Sequence, residues 1–419
     1  MTDLKLPKQL KAILMPPINN EDRFKIAPNL MPQTSYQIMD PDNNSIWGYI
    51  VIDNTTRGPG LGGIRIVPDL NLNEISRLAK IMTLKNSAAC LPYGGAKAGI
   101  ILKSPELTDN PKIRNDLIDL FAECLFDLGS YVPAPDMGSN EMDIQIIHDN
   151  HSRKLKTDKH SRGGAGRPVV NEGIPIDDWE LTAHGLFTTI KTIEAIDDTL
   201  DLSKSKFVVQ GFGNVGAPTA MKLQQLGATL VGASDINTAL WNPNGLDVQE
   251  LNHIRKQHGG LKNYTHDVHK IFSAKKLDWL LEAPCDILIP SARPDAITGK
   301  NVDRIQCRYI LQGANTPSSK SIEYYLHHRR KILSLTDFIV NAGGVIGCAV
   351  KRNMYVDQSY KQRVKNMGIR NYVEKLIAKT ISKNVSDIYE RMNNKSDAIF
   401  RDLAWELALE RLNSHEVWQ

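Results

Sequence analysis

The feature that most constrains this 419-residue chain is a glycine loop, Gly211-Phe212-Gly213-Asn214-Val215-Gly216, set between an apolar strand and a helix. The strand is Phe207-Val208-Val209-Gln210, the helix runs through Leu223, and a second strand from Thr229 to Ala233 ends at Ser234-Asp235. That order spells a βαβ unit with a parallel sheet. The three glycines do different things. Gly211 permits the tight turn, Gly213 lets the backbone approach a pyrophosphate, and Gly216 lets the helix pack on the strand with its positive end against phosphate. Pro218 falls in the first helical turn, where a missing N–H costs little. The bare glycine pattern is weak, and a glycine-rich turn without ligand is the alternative; the flanking elements favour dinucleotide binding. Asp235 can accept from ribose hydroxyls and would repel a 2′-phosphate. Ile236 to Leu240 offer no basic side chain in compensation, so NAD is expected rather than NADP.

The length exceeds one compact core, which predicts two domains with a cleft between them for small-molecule chemistry. With 51 basic residues against 47 acidic ones and no basic tail, no nucleic-acid partner is expected. The run His327-His328-Arg329-Arg330-Lys331 reads as a solvated face rather than a phosphate patch. No stretch has the pattern of a spanning helix and Met1 to Asn20 lacks an apolar signal core, so the expectation is a cytoplasmic protein without membrane association. Cys90, Cys124, Cys285, Cys307 and Cys348 have no metal-binding spacing; they are expected to be reduced thiols, and no metal is expected.

The first half mixes strands such as Trp47 to Ile52 with an amphipathic helix carrying Ile75, Leu78, Ala79 and Met82 on one stripe. Lys85 continues that stripe, where an ammonium needs either an anionic partner or an escape to solvent at the helix end; both readings stand. From Ser152 to Glu180 the chain turns polar and glycine-rich, as in a mobile loop or interdomain connection. Beyond Gln358, Val373, Leu376, Ile377, Ile381, Val385, Ile388 and Met392 form one helical stripe.

Several separated motifs together resemble the glutamate, leucine, phenylalanine and valine dehydrogenases. They are Gly62-Gly63-Ile64-Arg65, Lys85-Asn86-Ser87-Ala88, Pro92-Tyr93-Gly94-Gly95-Ala96-Lys97-Ala98-Gly99, Pro133-Ala134-Pro135-Asp136, the loop Gly211 to Gly216, Gln312-Gly313-Ala314-Asn315 and Asn341-Ala342-Gly343-Gly344-Val345. Leu403 to Arg411 looks like that family's closing helix. The resemblance implies an α/β fold of two domains: a substrate and oligomerisation domain over 1–182, rejoined by a C-terminal helix at about 390–419, and a doubly wound Rossmann-type domain over 183–389. It implies that Lys85 holds the substrate α-carboxylate, that Lys97 is the base, and that Asp136 carries protons to and from the amine. Gly62, Gly94 and Gly95 would let substrate approach the backbone; Thr182, Asn214, Val215, Asn315 and Asn341 join the loop glycines and Asp235 around the cofactor. Without the resemblance, Lys97 reads as a loop lysine and Asp136 as a turn cap. The implied reaction is oxidative deamination to a 2-oxo acid and ammonia, with reductive amination in reverse, by a homo-oligomer.

Glutamate-specific members of that family place a lysine before Gly-Gly-x-Arg and a serine three residues after the valine of Asn-Ala-Gly-Gly-Val, whereas this chain has Leu61 and Cys348. A carboxylate buried there unpaired would cost several kcal/mol. The pocket of Leu61, Ala134, Val345 and Cys348 is therefore similar to the leucine and phenylalanine type, and a branched or aromatic side chain is expected, with glutamate as the alternative because of the Pro-Ala-Pro-Asp and Gly166-Arg167-Pro168 runs and the overall length. A nucleotide-binding regulatory protein without turnover is the alternative of another class. Ala98 departs from the usual glycine, and about Val169 to Glu180 is an insertion, read as a loop extension, an oligomer contact or a lid.

Overall fold

The structure, a computed structural model, describes residues 5–16, 33–157, 164–265, 268, 270–395 and 397–414. By their internal packing the residues fall into two units, Met1–Pro175 with Gly347–Ile369 and Ala408–Gln419, and Ile176–Ile346 with Arg370–Leu407.

The first unit holds a six-stranded sheet: β1 (Lys11–Leu14), β2 (Thr34–Met39), β3 (Ile46–Asn54), β4 (Gly60–Val67), β5 (Gly94–Ile101) and β6 (Tyr131–Pro135), in the order β1-β2-β3-β5-β4-β6. β1, β2, β3 and β5 pair antiparallel, while β4 runs parallel to both β5 and β6. Both faces of β4 and β5 are covered, which is why, Arg65 and Lys97 apart, their sequences read as apolar or glycine. On one face Ile64, Ile66, Ala98 and Ile100 pack with Phe121 of helix Pro111–Leu128 and Ile144 of helix Glu141–Leu155. Each of the isoleucines and Phe121, fully buried, contributes about 1.5–3 kcal/mol. On the other face lies helix Leu72–Ala88, started by Asn71 accepting from the Glu74 N–H, with Ile75 and Ala79 against Val51 and Leu70.

The second unit carries β7 (Lys206–Gln210), β8 (Thr229–Ser234), β9 (Thr238–Trp241), β10 (Lys270–Ser273), β11 (Ile287–Pro290), β12 (Tyr309–Leu311) and β13 (Leu333–Leu335), ordered β10-β9-β8-β7-β11-β12-β13. Strands β8, β7, β11, β12 and β13 are parallel; β9 and β10 fold back antiparallel at one edge. The chain goes to opposite sides of β7 for β8 and β11, the reversal of strand order at which open α/β sheets take ligands.

The boundaries differ from the expected 1–182 with 390–419 and 183–389. Residues 176–182 side with the second unit, residues 347–369 with the first, and the helix Ile369–Asn394 almost wholly with the second. The reason is packing: Gly343 and Gly344 abut Leu181 and Thr182, whereas Asn353 and Tyr355 reach Tyr93 and His148. The closing helix Phe400–Leu412 is itself divided. Buried Arg401 pairs with Glu323 (2.7 Å) and Asp337 (3.2 Å) in the second unit, and Arg411 donates to Ala88 O in the first.

All five cysteines are free thiols. The basic run is less solvated than expected, because Arg330 turns inward to donate to the carbonyls of Val302 and Ile305. Among the described residues no helix is long and apolar enough to cross a membrane.

Candidate active site

The pairing registers set Leu61 beside Gly95 and Val132, Gly63 beside Ala134, and Ile64 beside Ala98. Side chains alternate along a strand, so Leu61, Gly63, Arg65, Lys97 and Ala134 share the face on which helix Leu72–Ala88 lies. There, Lys97 Nζ is 2.8 Å from Asp136 Oδ2, and Arg65 Nε reaches the same oxygen at 2.9 Å. Arg65 also binds Glu74 of the helix. Asp136 is the residue just past β6, and its N–H donates to Ser139 Oγ (2.9 Å), which in turn donates to Ile64 O (2.6 Å). Tyr131 fixes the neighbouring strand by donating to Gly62 O (2.8 Å).

Burial pulls the Lys97 ammonium below the ordinary lysine value; the Arg65 charge adds to that pull and Asp136 opposes it. For Asp136, burial pushes the carboxyl up, but Lys97 and Arg65 together outweigh it and hold the group below the usual carboxylate range. The two groups are thus both held below their ordinary ranges, Lys97 by burial and Asp136 by the two cations, a perturbed pair of the kind that clusters at functional sites.

Lys85 lies in the last turn of helix Leu72–Ala88 and is buried, so it does not escape to solvent. Its neighbour Asn86 donates to Leu61 O and Gly94 O, locking the helix end across β4 and β5. The glycines serve packing. An added Cβ would meet Ala96 O at 1.8 Å from Gly62, Asn54 O at 1.9 Å from Gly94, and the Thr83 backbone N at 2.1 Å from Gly95. Close backbone contact by itself accounts for glycine at these three positions. Gly63 faces the chemistry: its Cβ would lie 2.6 Å from Asp136 Cβ and 3.1 Å from Lys97 Nζ. Of the expected pocket, Leu61, Ala134 and Cys348 are buried within the first unit, and Val345 falls in the second.

In the second unit Gly211 has φ +89° and Gly216 packs against Gly211 O, so both positions exclude a side chain on the protein's own account. A Cβ on Gly213 meets nothing within 4 Å. The protein's own packing therefore does not demand glycine here, and the open space admits the backbone approach of a pyrophosphate. Nearby, at the carboxyl ends of β7 and β11, Gln210 Oε1 and Ser291 Oγ are buried without partners among the described residues, and so is Asn341 Oδ1. Asn341 Nδ2 donates to Gly313 O (3.2 Å) and Asn315 Oδ1 (3.1 Å), and Thr182 Oγ1 would lie 2.9 Å from a Cβ on Gly344. Thr182, Asn315 and Asn341 therefore each sit at the margin of this strand-end region, and orphaned polar atoms there fit a polar ligand such as a dinucleotide. Val215 caps helix Gly216–Gln224, and Asn214 donates to Asp177 Oδ2 (3.0 Å) in the insertion.

Asp235 is more occupied than expected. Its Oδ1 accepts from the N–H groups of Asn237 and Thr238 (both 2.7 Å) and its Oδ2 from Leu261 N–H (2.6 Å). Each carboxylate oxygen has two acceptor sites, which leaves one on Oδ2 for a ribose hydroxyl.

Sequence reasoning gave Arg65 a place in a motif but no role, and it missed Glu74, Tyr131 and Ser139. The signal for Arg65 was its alternation with Leu61 and Gly63 in one strand; nothing in the order of residues tells that Glu74 faces it.

The sequence model of the Glutamate/Leucine/Phenylalanine/Valine dehydrogenase family matches residues 173–417, and that of the Glu/Leu/Phe/Val dehydrogenase dimerisation domain matches residues 29–153. A glutamate dehydrogenase of Thermotoga maritima is 33% identical over 383 residues, covering 87% of this chain and 84% of the relative. An NADP-specific glutamate dehydrogenase of Saccharolobus shibatae is 31% identical over 92% of this chain and 88% of its own. Among solved structures, a hetero-hexameric glutamate dehydrogenase from Thermus thermophilus in a Leu-bound form superposes with a TM-score of 0.75 at 24% identity, over 97% of this chain and 88% of that one. Glutamate dehydrogenase of Plasmodium falciparum gives 0.75 at 21% identity over 91% and 82%.

Proposed function

The chain belongs to the glutamate, leucine, phenylalanine and valine dehydrogenase family, oxidoreductases acting on CH–NH2, and on that premise we propose that it oxidatively deaminates an acidic L-amino acid of the glutamate type. The observation that carries the chemistry is the buried contact between Lys97 Nζ and Asp136 Oδ2 at 2.8 Å. The acidic side chain is supported by relatives named glutamate dehydrogenase at 30–33% identity. Leu61 and Cys348 favour the second reading, an apolar side chain, since neither can pair with a carboxylate in its immediate surroundings.

In this reading Lys85 orients the substrate α-carboxylate, and Asp136 takes a proton from the substrate ammonium so that the amine nitrogen can form a double bond to Cα. A nicotinamide dinucleotide held at the Gly211–Gly216 loop would supply the acceptor for the Cα hydride. Neutral Lys97 then takes a proton from water as its oxygen adds to the imino carbon, Asp136 returns its proton to the amine, and as the C–N bond breaks the adduct's hydroxyl proton passes to the departing ammonia, leaving the 2-oxo acid and ammonium. NAD is favoured over NADP because the free acceptor site on Asp235 suits a ribose hydroxyl and its charge repels a phosphate. The matched dimerisation domain supports a homo-oligomer.

The test is NADH formation at alkaline pH with glutamate, leucine, norvaline and phenylalanine. Glutamate should give the highest kcat/KM. A higher value for leucine or phenylalanine returns the pocket to the apolar reading, and NAD binding without turnover of any substrate supports a regulatory protein.

A further inference from the structure

Helical spacing sets Cys348, Lys351, Arg352 and Tyr355 on one stripe of helix Gly343–Val356, within the part of that helix that belongs to the first unit. The stripe begins beside the catalytic strand. A Cβ on Gly166 would lie 3.7 Å from Cys348 Sγ and 2.6 Å from Pro135 Cδ, one residue before Asp136. Two cations are buried beyond Cys348: Lys351 is 5% exposed and Arg167 7%. Arg167 Cζ stacks 4.4 Å from the centre of the Tyr355 ring. Among the described residues neither Lys351 nor Arg167 has a carboxylate within ion-pair distance or a hydrogen-bond acceptor.

The acids in the neighbourhood are engaged elsewhere: Glu172 binds Lys361 (2.9 Å), and Asp149 accepts from Gln145 (2.7 Å). The groups facing Lys351 are then Arg167, the Glu172–Lys361 pair and Lys365, a surplus of positive charge. Burial first, and Arg167 next, draw Lys351 down to about 8. The exposed carboxylates of Glu172 and Asp149 offset part of the charge on these two cations, and a bound anion would offset the rest.

We propose that Arg167 and Lys351 receive the side-chain carboxylate of an acidic substrate, supplying the charge that Leu61 and Cys348 do not. This rests on the acidic-substrate reading. Three residues of helix carry Lys351 about 4.5 Å past Cys348, so the carboxylate lies deeper than Cys348 along the same stripe. The insertion helps to seat the site, since Glu172 within it anchors Lys361 beside the two cations.

The experiment compares kcat/KM for glutamate with that for norvaline, which carries a methyl group in place of the carboxylate, in the wild-type enzyme and in Lys351→Met, Arg167→Met and Lys351→Arg. Taking the ratio cancels effects on Lys97 and on the substrate amine. The glutamate-to-norvaline ratio should fall 30-fold or more in each Met variant, on the order of the 2–3 kcal/mol of a charge-assisted contact, and Lys351→Arg should restore most of it. In the wild type the ratio should decline as the pH rises through about 8, because Lys351 must be protonated to hold the anion, and in Lys351→Arg that decline should vanish. Equal losses for both substrates, or an unmoved ratio in folded Lys351→Met and Arg167→Met, overturn the assignment. If the wild type prefers glutamate while the variants leave the ratio unmoved, only the placement of the carboxylate fails. If the wild type prefers norvaline, the acidic-substrate reading fails with it.

Discussion

Replacing Arg65 with Met tests how Lys97 is tuned. Lys97 Nζ and Arg65 Nε contact the same oxygen of Asp136 at 2.8 and 2.9 Å, so the two positive charges lie within about 6 Å of each other. At an effective dielectric constant of about 20, two unit charges at that distance repel by roughly 2.8 kcal/mol, which is about two pH units on the lysine. Removing Arg65 also frees the Glu74 carboxylate, and its pull on Lys97 has the same sign. The folded-state value of Lys97 therefore rises. Since the neutral amine is the base, the ascending limb of kcat/KM against pH should move to higher pH by up to about two units, with a loss of up to ~100-fold at neutral pH that is recovered in alkali. The assay is a pH series of initial rates with glutamate, alongside thermal melting to confirm folding. A limb that stays in place while the rate drops equally at every pH would refute the tuning and leave Arg65 as a positioning residue for Asp136.

Gly63→Ala places a methyl 2.6 Å from Asp136 Cβ and 2.8 Å from Pro135 O. The overpacking should cost about 1–3 kcal/mol in denaturant melts, and displacement of Asp136 should lower kcat at least 100-fold; a variant with near-normal kcat would show that the carboxylate does not need its present seat. Asp235→Ser removes the charge and the free acceptor site, so the ratio of kcat/KM for NAD to that for NADP should fall about tenfold, the equivalent of about 1.4 kcal/mol. An unchanged ratio would mean the cofactor's ribose is read elsewhere.

The glycine loop and its two strands were legible because period, turn chemistry and helix start are all local: β7, the helix from Gly216 and β8 begin and end within a residue or two of the expected positions. The place of Lys85 on an apolar stripe was legible for a similar reason, while its burial was left open until the packing was seen. What distant partners decide was not. Asp235 already serves three backbone N–H groups, one of them on Leu261, and no spacing rule announces that. Nor does the sequence say that Arg167 and Lys351, far apart along the chain, are buried beside one another. The domain boundaries missed for the same reason, since the helices after Gly343 are assigned by which side chains they bury and not by their own periodicity.

The division of helix Phe400–Leu412 bears on how the protein comes to be made. Arg401 neutralises Glu323 and Asp337, both almost fully buried, and a second unit lacking it would hold two uncompensated acids. Arg411 likewise completes the first unit at Ala88 O, and Arg57 donates to Arg411 O and Ser414 O. Domains ordinarily finish folding one after another as they leave the ribosome. Here neither unit reaches its final packing until residues beyond 400 have been translated, so both must wait, partly assembled, for the same closing helix.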